Sequence, residues 1–483
     1  MLKRMKAISA VLVLIVLLPL FSQGITVQSR LDVDPEQLKE ILKGSYSFDE
    51  AGWRVLHLEG DPYQIGFQYG YLLGKNISYN LEVTVFGASG FYSEWENARK
   101  LSLEYWKKVP EEYQQEIRGI AEGVKASGAP SPFDRPIDWK DILALNAQVD
   151  LYYKQLSQEI KVKTSEKEEL QPTEIAIKLE AKRGCSAFVA AGNATKDGGV
   201  VIGHETWCSY IGADTNYFMI NVKPTKGYEF SMQVMPGLIW SVEDWYINRA
   251  GLAVAETTLG AGPYDDTGKP LFVRIREAVQ YSYSIDDFVR HMTYKNNGAY
   301  SCDWLVADAK TGEIAILELG LDEWALKRTF NGFYGSCNIA WDEDVRKEQN
   351  AGEFTKDGSY ARWVRWGELK EEWWGRVTPE AGKRMLSDHF DTKTRSINPN
   401  TTTLCGHEEL DPHVNFKPHG SIDAKITDSS MMPRMEMLAR RGHPCGMDFD
   451  ASEFISKHPE YSKAKPYLKD MRAYEWTILG KKQ

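Results

Sequence analysis

The spacing of apolar residues changes character at one point in the chain, and the change divides it in two. Ahead of that point the patterns are mostly helical. The stretch WRVLHLEGD (Trp53–Asp61) predicts a strand, and DPYQIGFQYGYLLGKNI follows it. Asp61 is placed to cap a helix with Pro62 in its first turn. Gly66, Gly70 and Gly74 recur every four residues. That spacing sets them on one helical face, where small residues allow a neighbour to pack closely. Further helical patterns cover about Tyr92–Ser127 and Trp139–Tyr153. From Leu156 to Lys182 the chain is rich in Lys, Glu and Gln and lacks an apolar period, which reads as an exposed linker over about residues 156–183.

After Gly184 the texture is β. The runs CSAFVAAG, GGVVIGHETW, NYFMINVK, YEFSMQVM and AGLAVAETTL are short and apolar, with turn residues between them. NATKDGG reads as a hairpin loop, and DWLVADAKTGEIAILEL as a hairpin turning at Lys310-Thr311-Gly312. Helices are predicted near Leu271–Tyr283, Ile285–Tyr294, Tyr360–Trp374 and Thr378–His389. The last third is loop-rich, with a strand in GSIDAKITD. Strands apolar on both faces, with helices before and between them, imply an α+β fold of layered sheets covered by helices.

The N-terminus reads differently. MLKRMK is a basic segment, AISAVLVLIVLLPLF a continuous apolar run, and SQG supplies small residues, which together predict a secretory signal over residues 1–24. An uncleaved anchor helix is the other account of that run. Asn76 (NIS), Asn193 (NAT) and Asn400 (NTT) fit the acceptor pattern for glycosylation. A formal net charge of −10 without a basic cluster argues against a nucleic-acid partner. The six cysteines are scattered, so they do not form a disulfide framework.

Several catalytic signatures are missing. There is no G-x-S-x-G elbow, no H-E-x-x-H, no Walker A loop and no G-x-G-x-x-G. Cys405, His407, His413, His419, His443 and Cys445 invite a zinc reading, but their spacings match no closed zinc pattern. They are read as ordinary loop residues, with no metal or cofactor expected.

Cys185 remains. A cysteine opening a buried strand is ordinarily a small apolar core residue. Here Gly184 precedes it and permits strained backbone, a dispensable linker lies upstream, and the polar cluster GHETW follows on the next strand. Together these suggest self-cleavage between Gly184 and Cys185. The thiol attacks the preceding carbonyl, water hydrolyses the thioester, and Cys185 becomes a new N-terminus. Its α-amine, with a reference pKa of about 8, then serves as base for its own thiol.

These residues carry a resemblance. The ordered stretches GDPYQIGFQYGYLL, CSAF, GHETWCSY, MPGLIWSVEDWYINRAGLAVAETT, NNGAYSCDWLVADAKTGE, GFYGSCNIAWDEDVR and GSIDAKITDSSMM resemble the phospholipase B-like (lamina ancestor) family of N-terminal nucleophile hydrolases. More distantly, the chain is similar to the penicillin acyltransferase-type autoproteolytic cysteine family and the bile-salt hydrolases. The resemblance implies a four-layer αββα sandwich, cleavage before Cys185, and hydrolysis of amide or ester bonds to acyl groups. Cys185 matches the nucleophile, and His204, Thr206 and Trp207 fall in the polar strand beside it. The acyltransferase and bile-salt branches carry Asn or Arg and an Asp there, so this His-Glu-Thr-Trp departs from them as the phospholipase B-like branch does. Thr258 lies where relatives place a polar residue on the oxyanion side. Asn338 matches an oxyanion asparagine, and Arg362 sits near an active-site arginine. Asp423 and Lys425 match a family stretch and are read as a supporting ion pair.

The expectation is a secreted or lysosome-like cysteine hydrolase. Residues 25–184 and 185–483 form one folded unit and stay associated after the cut. The resemblance points to acyl-lipid substrates, with peripheral contact at a membrane surface. The other readings are an amidase or acyltransferase on small N-acyl compounds, and a catalytically weak lipid-binding protein. The tryptophan-rich RWVRWGELKEEWW offers a lipid-facing wall, although amphipathic helix packing accounts for it better.

Overall fold

In the computed structural model, residues 33–87, 95–165, 184–349, 353–356 and 358–480 are described. The predicted signal segment and residues 166–183 of the predicted linker lie outside them. Two large sheets dominate. The first has nine strands in the order Tyr46–Glu50, Trp53–Gly60, Phe218–Pro224, Phe230–Val234, Trp245–Asn248, Leu252–Gly260, Ser301–Asp308, Glu313–Leu319 and Trp324–Thr329. All of its pairings are antiparallel except Trp53–Gly60 beside Phe218–Pro224, which run parallel over seven residue pairs. The second sheet has six strands in the order Gly332–Ser336, Ser186–Gly192, Gly198–Glu205, Asp423–Asp428, Met437–Arg441 and Thr477–Leu479.

The apolar alternation shows how the layers stack. Val55, Met219, Ile247, Ala255 and Leu305 of the first sheet share one core with Ala187, Val189 and Ile202 of the second, so the sheets face each other. The other face of the first sheet, including Leu56, Ile220, Val254 and Val306, packs on helices Pro62–Leu72, Glu111–Ser127, Trp139–Ser165, Leu271–Tyr281 and Ile285–Thr293. The outer face of the second sheet, with Phe188, Val201 and Ile426, packs on helices Tyr360–Trp373 and Pro379–Leu386. The result is the expected four-layer αββα arrangement.

Asp61 caps the helix Pro62–Leu72 by accepting from the Gln64 amide. A Cβ on Gly66 would come within 2.0 Å of the Glu116 carbonyl oxygen, and one on Gly70 within 2.0 Å of that of Ile120. Gly119 and Gly123 of the partner helix return the contact, so the backbones of the pair touch directly. Gly74 opens the next helix instead, Gly74–Phe86.

Two expectations need correction. The helix beginning at Trp139 runs to Ser165, so residues 156–165 are not linker. Lys, Glu and Gln are good helix formers, and Leu156 is buried against the helical layer. The pattern over Tyr92–Ser127 holds two helices, Trp95–Trp106 and Glu111–Ser127, with Pro110 as the N-cap of the second. Among the described residues, no helix is long and apolar enough to cross a membrane.

Candidate active site

Cys185 sits immediately before the strand Ser186–Gly192, and His204 and Glu205 close the antiparallel neighbour Gly198–Glu205. Because side chains alternate along a strand, His204 faces the space between the sheets and Glu205 the opposite side. The Cys185 Sγ, a His204 ring nitrogen and an Asp244 carboxyl oxygen all lie within 4.8 Å of one another. Cys185 is 5% exposed. Burial pushes its thiol well above the usual range, and Asp244 and Glu256 add to the rise, while the Trp207 amide and Lys425 act in the opposite sense. The Cys185 side chain is therefore a thiol rather than a thiolate, and would need a base to act as a nucleophile. Burial, reinforced by Lys425 and only partly opposed by the Glu256 backbone, holds His204 well below its usual pKa, so its ring is neutral.

Arg362, from the helix Tyr360–Trp373, is the hub of the site. One guanidinium nitrogen donates to the Gly184 carbonyl at 3.0 Å, the Cys185 carbonyl at 2.8 Å and the Ser186 hydroxyl at 3.3 Å. The other donates to Asn338 Oδ1 at 3.1 Å and Ser359 Oγ at 3.0 Å. The guanidinium also lies over the Trp207 ring, 4.7 Å from its centroid. Gly184 is required by the same ring, since a Cβ there would stand 2.4 Å from the Trp207 side chain.

Asn338 follows the strand Gly332–Ser336 with a left-handed φ of 69°. Its Nδ2 donates to the Thr258 carbonyl at 2.9 Å, and its backbone amide donates to Thr257 Oγ1 at 3.3 Å. Thr258 thus contributes its backbone oxygen to holding Asn338. Thr206 accepts from Lys425 Nζ at 2.7 Å, and Lys425 pairs with Asp423 at 2.6 Å with both side chains fully buried. Gln233 and the Thr206 amide also donate to Asp423. This pair is the supporting one expected from the sequence.

The residues singled out from the sequence, Gly184, Cys185, His204, Thr206, Trp207, Thr258, Asn338 and Arg362, thus converge in one buried region. Sequence reasoning missed its acids. The Asp244 carboxyl is raised well above the usual range by burial and then by Glu256, and Glu256 is raised by its own burial. Two carboxyls this close do not both ionise. The Tyr300 hydroxyl donates to Asp244 Oδ2 at 3.1 Å. Asp244 and Tyr300 adopt left-handed φ values of 61° and 56°, so three strained residues, with Asn338, stand at the site. Glu205 is also raised well above its usual value by burial, against the opposing pull of Trp207 and Ser421. The signal available was a charged residue inside an otherwise apolar strand or its edge, as in AVAETTL and WSVEDWYI.

The glycosylation candidates lie elsewhere. Asn193 is exposed and Asn76 half-buried. Asn400 is corrected: it is buried, its amide donates to Asp391 at 3.3 Å and its oxygen accepts from Thr402 at 2.6 Å, which leaves no room for a glycan. Of the residues weighed for zinc, Cys405, His407 and Cys445 come together with His389, while His419 pairs with Glu408.

The family model Phospholipase B matches residues 91–315. An uncharacterized protein from Archaeoglobus fulgidus is 27% identical over 295 residues, 57% of this chain and 45% of its own length. A protein named phospholipase B from Crotalus adamanteus is 25% identical over 275 residues, 51% of this chain and 49% of its own length. The chain thus spans about half the length of these curated relatives. Among solved structures, penicillin V acylase from Agrobacterium tumefaciens matches 53% of this chain and 83% of its own at 15% identity, with a TM-score of 0.32. The resemblance to the phospholipase B-like family carried by the sequence motifs is borne out by the family match and by these relatives.

Proposed function

We propose that this chain is a self-cleaving cysteine hydrolase of amide or ester bonds to acyl groups, acting on acyl lipids. The observation that carries the reading is the grip of Arg362 on the Gly184 and Cys185 carbonyls beside the Cys185 thiol. Self-cleavage needs a nucleophile, a base and a donor at the oxygen where charge develops. Neutral His204 takes the thiol proton and Sγ attacks the Gly184 carbonyl carbon. The developing oxyanion faces the Arg362 guanidinium. The C–N bond to Cys185 breaks, its nitrogen receives the proton, and a Gly184 thioester forms. Water hydrolyses the thioester, leaving a Gly184 carboxylate and a free Cys185 with thiol and α-amine on one residue. That amine is the base for turnover on substrate. Asn338 orients Arg362 through Oδ1 and has a second Nδ2 hydrogen to offer an acyl oxyanion. Asp244, kept neutral beside Glu256, supplies a proton within reach of the thiol and His204.

Residues 25–184 and 185–483 remain one folded unit after the cut, because the strand Trp53–Gly60 pairs with Phe218–Pro224 inside the first sheet. The lipid preference rests on the name of the Crotalus adamanteus relative, and a secretory or lysosome-like route on the N-terminal pattern. The purified protein, analysed by intact mass and N-terminal sequencing, is expected to hold a large chain beginning Cys-Ser-Ala-Phe and to release fatty acid from phospholipid. Cys185→Ala is expected to stay one chain and release none. A Cys185→Ala protein that still yields a fragment starting at position 185 would falsify self-cleavage. Release of acid only from small N-acyl amides would replace the lipid reading with the amidase one.

A further inference from the structure

The loop-rich C-terminal third is tied together at one point away from the nucleophile. His389 follows the helix Pro379–Leu386, Cys405 and His407 lie in the coil before the strand His419–Ser421, and Cys445 lies in the loop after the strand Met437–Arg441. These segments are far apart in sequence, yet one ligand atom from each of the four side chains lies within 4.8 Å of the others. His407 Nε2 is 3.5 Å from Cys405 Sγ and 3.5 Å from Cys445 Sγ. In a tetrahedral zinc site, with Zn–S near ~2.3 Å and Zn–N near ~2.0–2.1 Å, adjacent sulfur and nitrogen ligands stand about 3.5 Å apart.

We propose that His389, Cys405, His407 and Cys445 form a structural Cys2His2 site for a zinc-class divalent cation. Three observations bear on it besides the spacing. His389 Nε2 is shut off from water and has no hydrogen-bond partner among the described residues. His407 uses its other nitrogen, Nδ1, on Glu409 Oε1 at 2.9 Å, the carboxylate–histidine arrangement that orients a metal-bound imidazole. The Met447 amide donates to Cys445 Sγ at 3.4 Å, as suits a thiolate. His443 packs its ring against His407, with centroids 4.3 Å apart, and helps hold the imidazole plane. Cys445 is part-exposed, which gives an ion a route in.

Four protein ligands fill a tetrahedral shell, so the site has no position for an activated water and its role is to staple loops. What it staples is the wall of the candidate active site. The Leu404 carbonyl accepts from Trp207 Nε1 at 3.1 Å and from the Ser186 hydroxyl at 3.5 Å. A Cβ on Gly406 would come within 1.9 Å of the Trp207 ring. Cys405 and His407 alternate along the chain with Leu404 and Gly406, so a cation on them would fix the floor under Trp207 and, through it, Arg362.

The test is metal content of the full chain, purified without chelator, together with a count of its free thiols. About one zinc per chain is expected, released by a mercurial that caps thiols. Replacement by Co²⁺ is expected to give the visible absorption of a tetrahedral thiolate site. Cys445→Ser and His389→Asn are expected to lose the metal, and His413→Ala to keep it. Wild-type protein with far less than one equivalent of metal, or a Cys405–Cys445 disulfide in its non-reduced mass map, overturns the proposal. Equal metal in Cys445→Ser and wild type overturns it as well. The wild-type measurement and the Co²⁺ spectrum decide the matter if neither ligand variant folds.

Discussion

Replacing Arg362 with lysine tests the chemistry most directly. The guanidinium spans Gly184 O, Cys185 O, Ser186 Oγ, Asn338 Oδ1 and Ser359 Oγ from one planar fork. A lysine keeps the positive charge but presents a compact ammonium on a different stem, so it cannot reproduce that fork. The donor at Gly184 O matters most, because in the proposed self-cleavage negative charge develops on that oxygen only as the thiol attacks. Removing one preorganised oxyanion donor costs about 2.7–4 kcal/mol in the transition state, or roughly 10²–10³ in rate. The ground state also loses hydrogen bonds to buried acceptors, at about 1–3 kcal/mol for each one left bare. The assay follows conversion of the single chain to the two-chain form after rapid purification, by denaturing gel and N-terminal sequencing. Thermal unfolding is measured alongside to separate chemistry from folding. Arg362→Lys is expected to fold with a lowered Tm and to remain largely uncut when wild type is fully cut. A folded Arg362→Lys protein that matures at the wild-type rate removes Arg362 from the reaction, and with it the proposed oxyanion geometry.

Further outcomes follow from packing and burial. Glu205 holds a proton in the folded state that the unfolded chain releases above about pH 4.3. Its contribution to stability therefore declines as pH rises above that value, by about 1.4 kcal/mol per pH unit until the folded pKa is reached. Glu205→Gln removes that decline, so the Tm difference between variant and wild type is expected to widen in favour of the variant from pH 5 to pH 8, and parallel curves would refute the assignment. Gly70→Ala puts a Cβ 2.0 Å from the Ile120 carbonyl and is expected to destabilise by about 1–3 kcal/mol or more, read by denaturant unfolding, whereas an unchanged midpoint would show that the helix pair can separate without cost.

The layers were legible in the sequence because their strands are apolar on both faces and end at turn residues. Cys185 and GHETW were legible for a related reason: a polar cluster beside a strand start stands out against buried β texture. The acids were not. Asp244, Glu256 and Tyr300 are separated by up to 56 residues in the chain, and only the approach of Trp245–Asn248, Leu252–Gly260 and Ser301–Asp308 in one sheet brings them together. The helix extending to Ser165 was hidden because Lys, Glu and Gln mark an exposed linker and a solvated helix end equally well. Of the group His389, Cys405, His407 and Cys445, only His389 was not legible, because the four residues sit on three loops and nothing local ties His389 to the other three. Asn400 shows the converse limit, since a local triplet carries no information about burial.

The strand Trp53–Gly60 is interior to the first sheet, with Tyr46–Glu50 on one side and Phe218–Pro224 on the other. It belongs to the part of the chain ahead of the proposed cut, whereas Phe218–Pro224 lies behind it. Before cleavage the two find each other within one molecule, and loop closure sets a modest entropic cost. Once the bond is broken, the same pairing becomes an encounter between separate molecules, and reassembly becomes dependent on concentration. On the proposed cleavage, the matured protein would carry an order of events that its two chains no longer encode: it would assemble as one chain and persist as two. Its durability would then be a matter of how slowly it comes apart, since unfolding of the cut form at low concentration has no unimolecular way back.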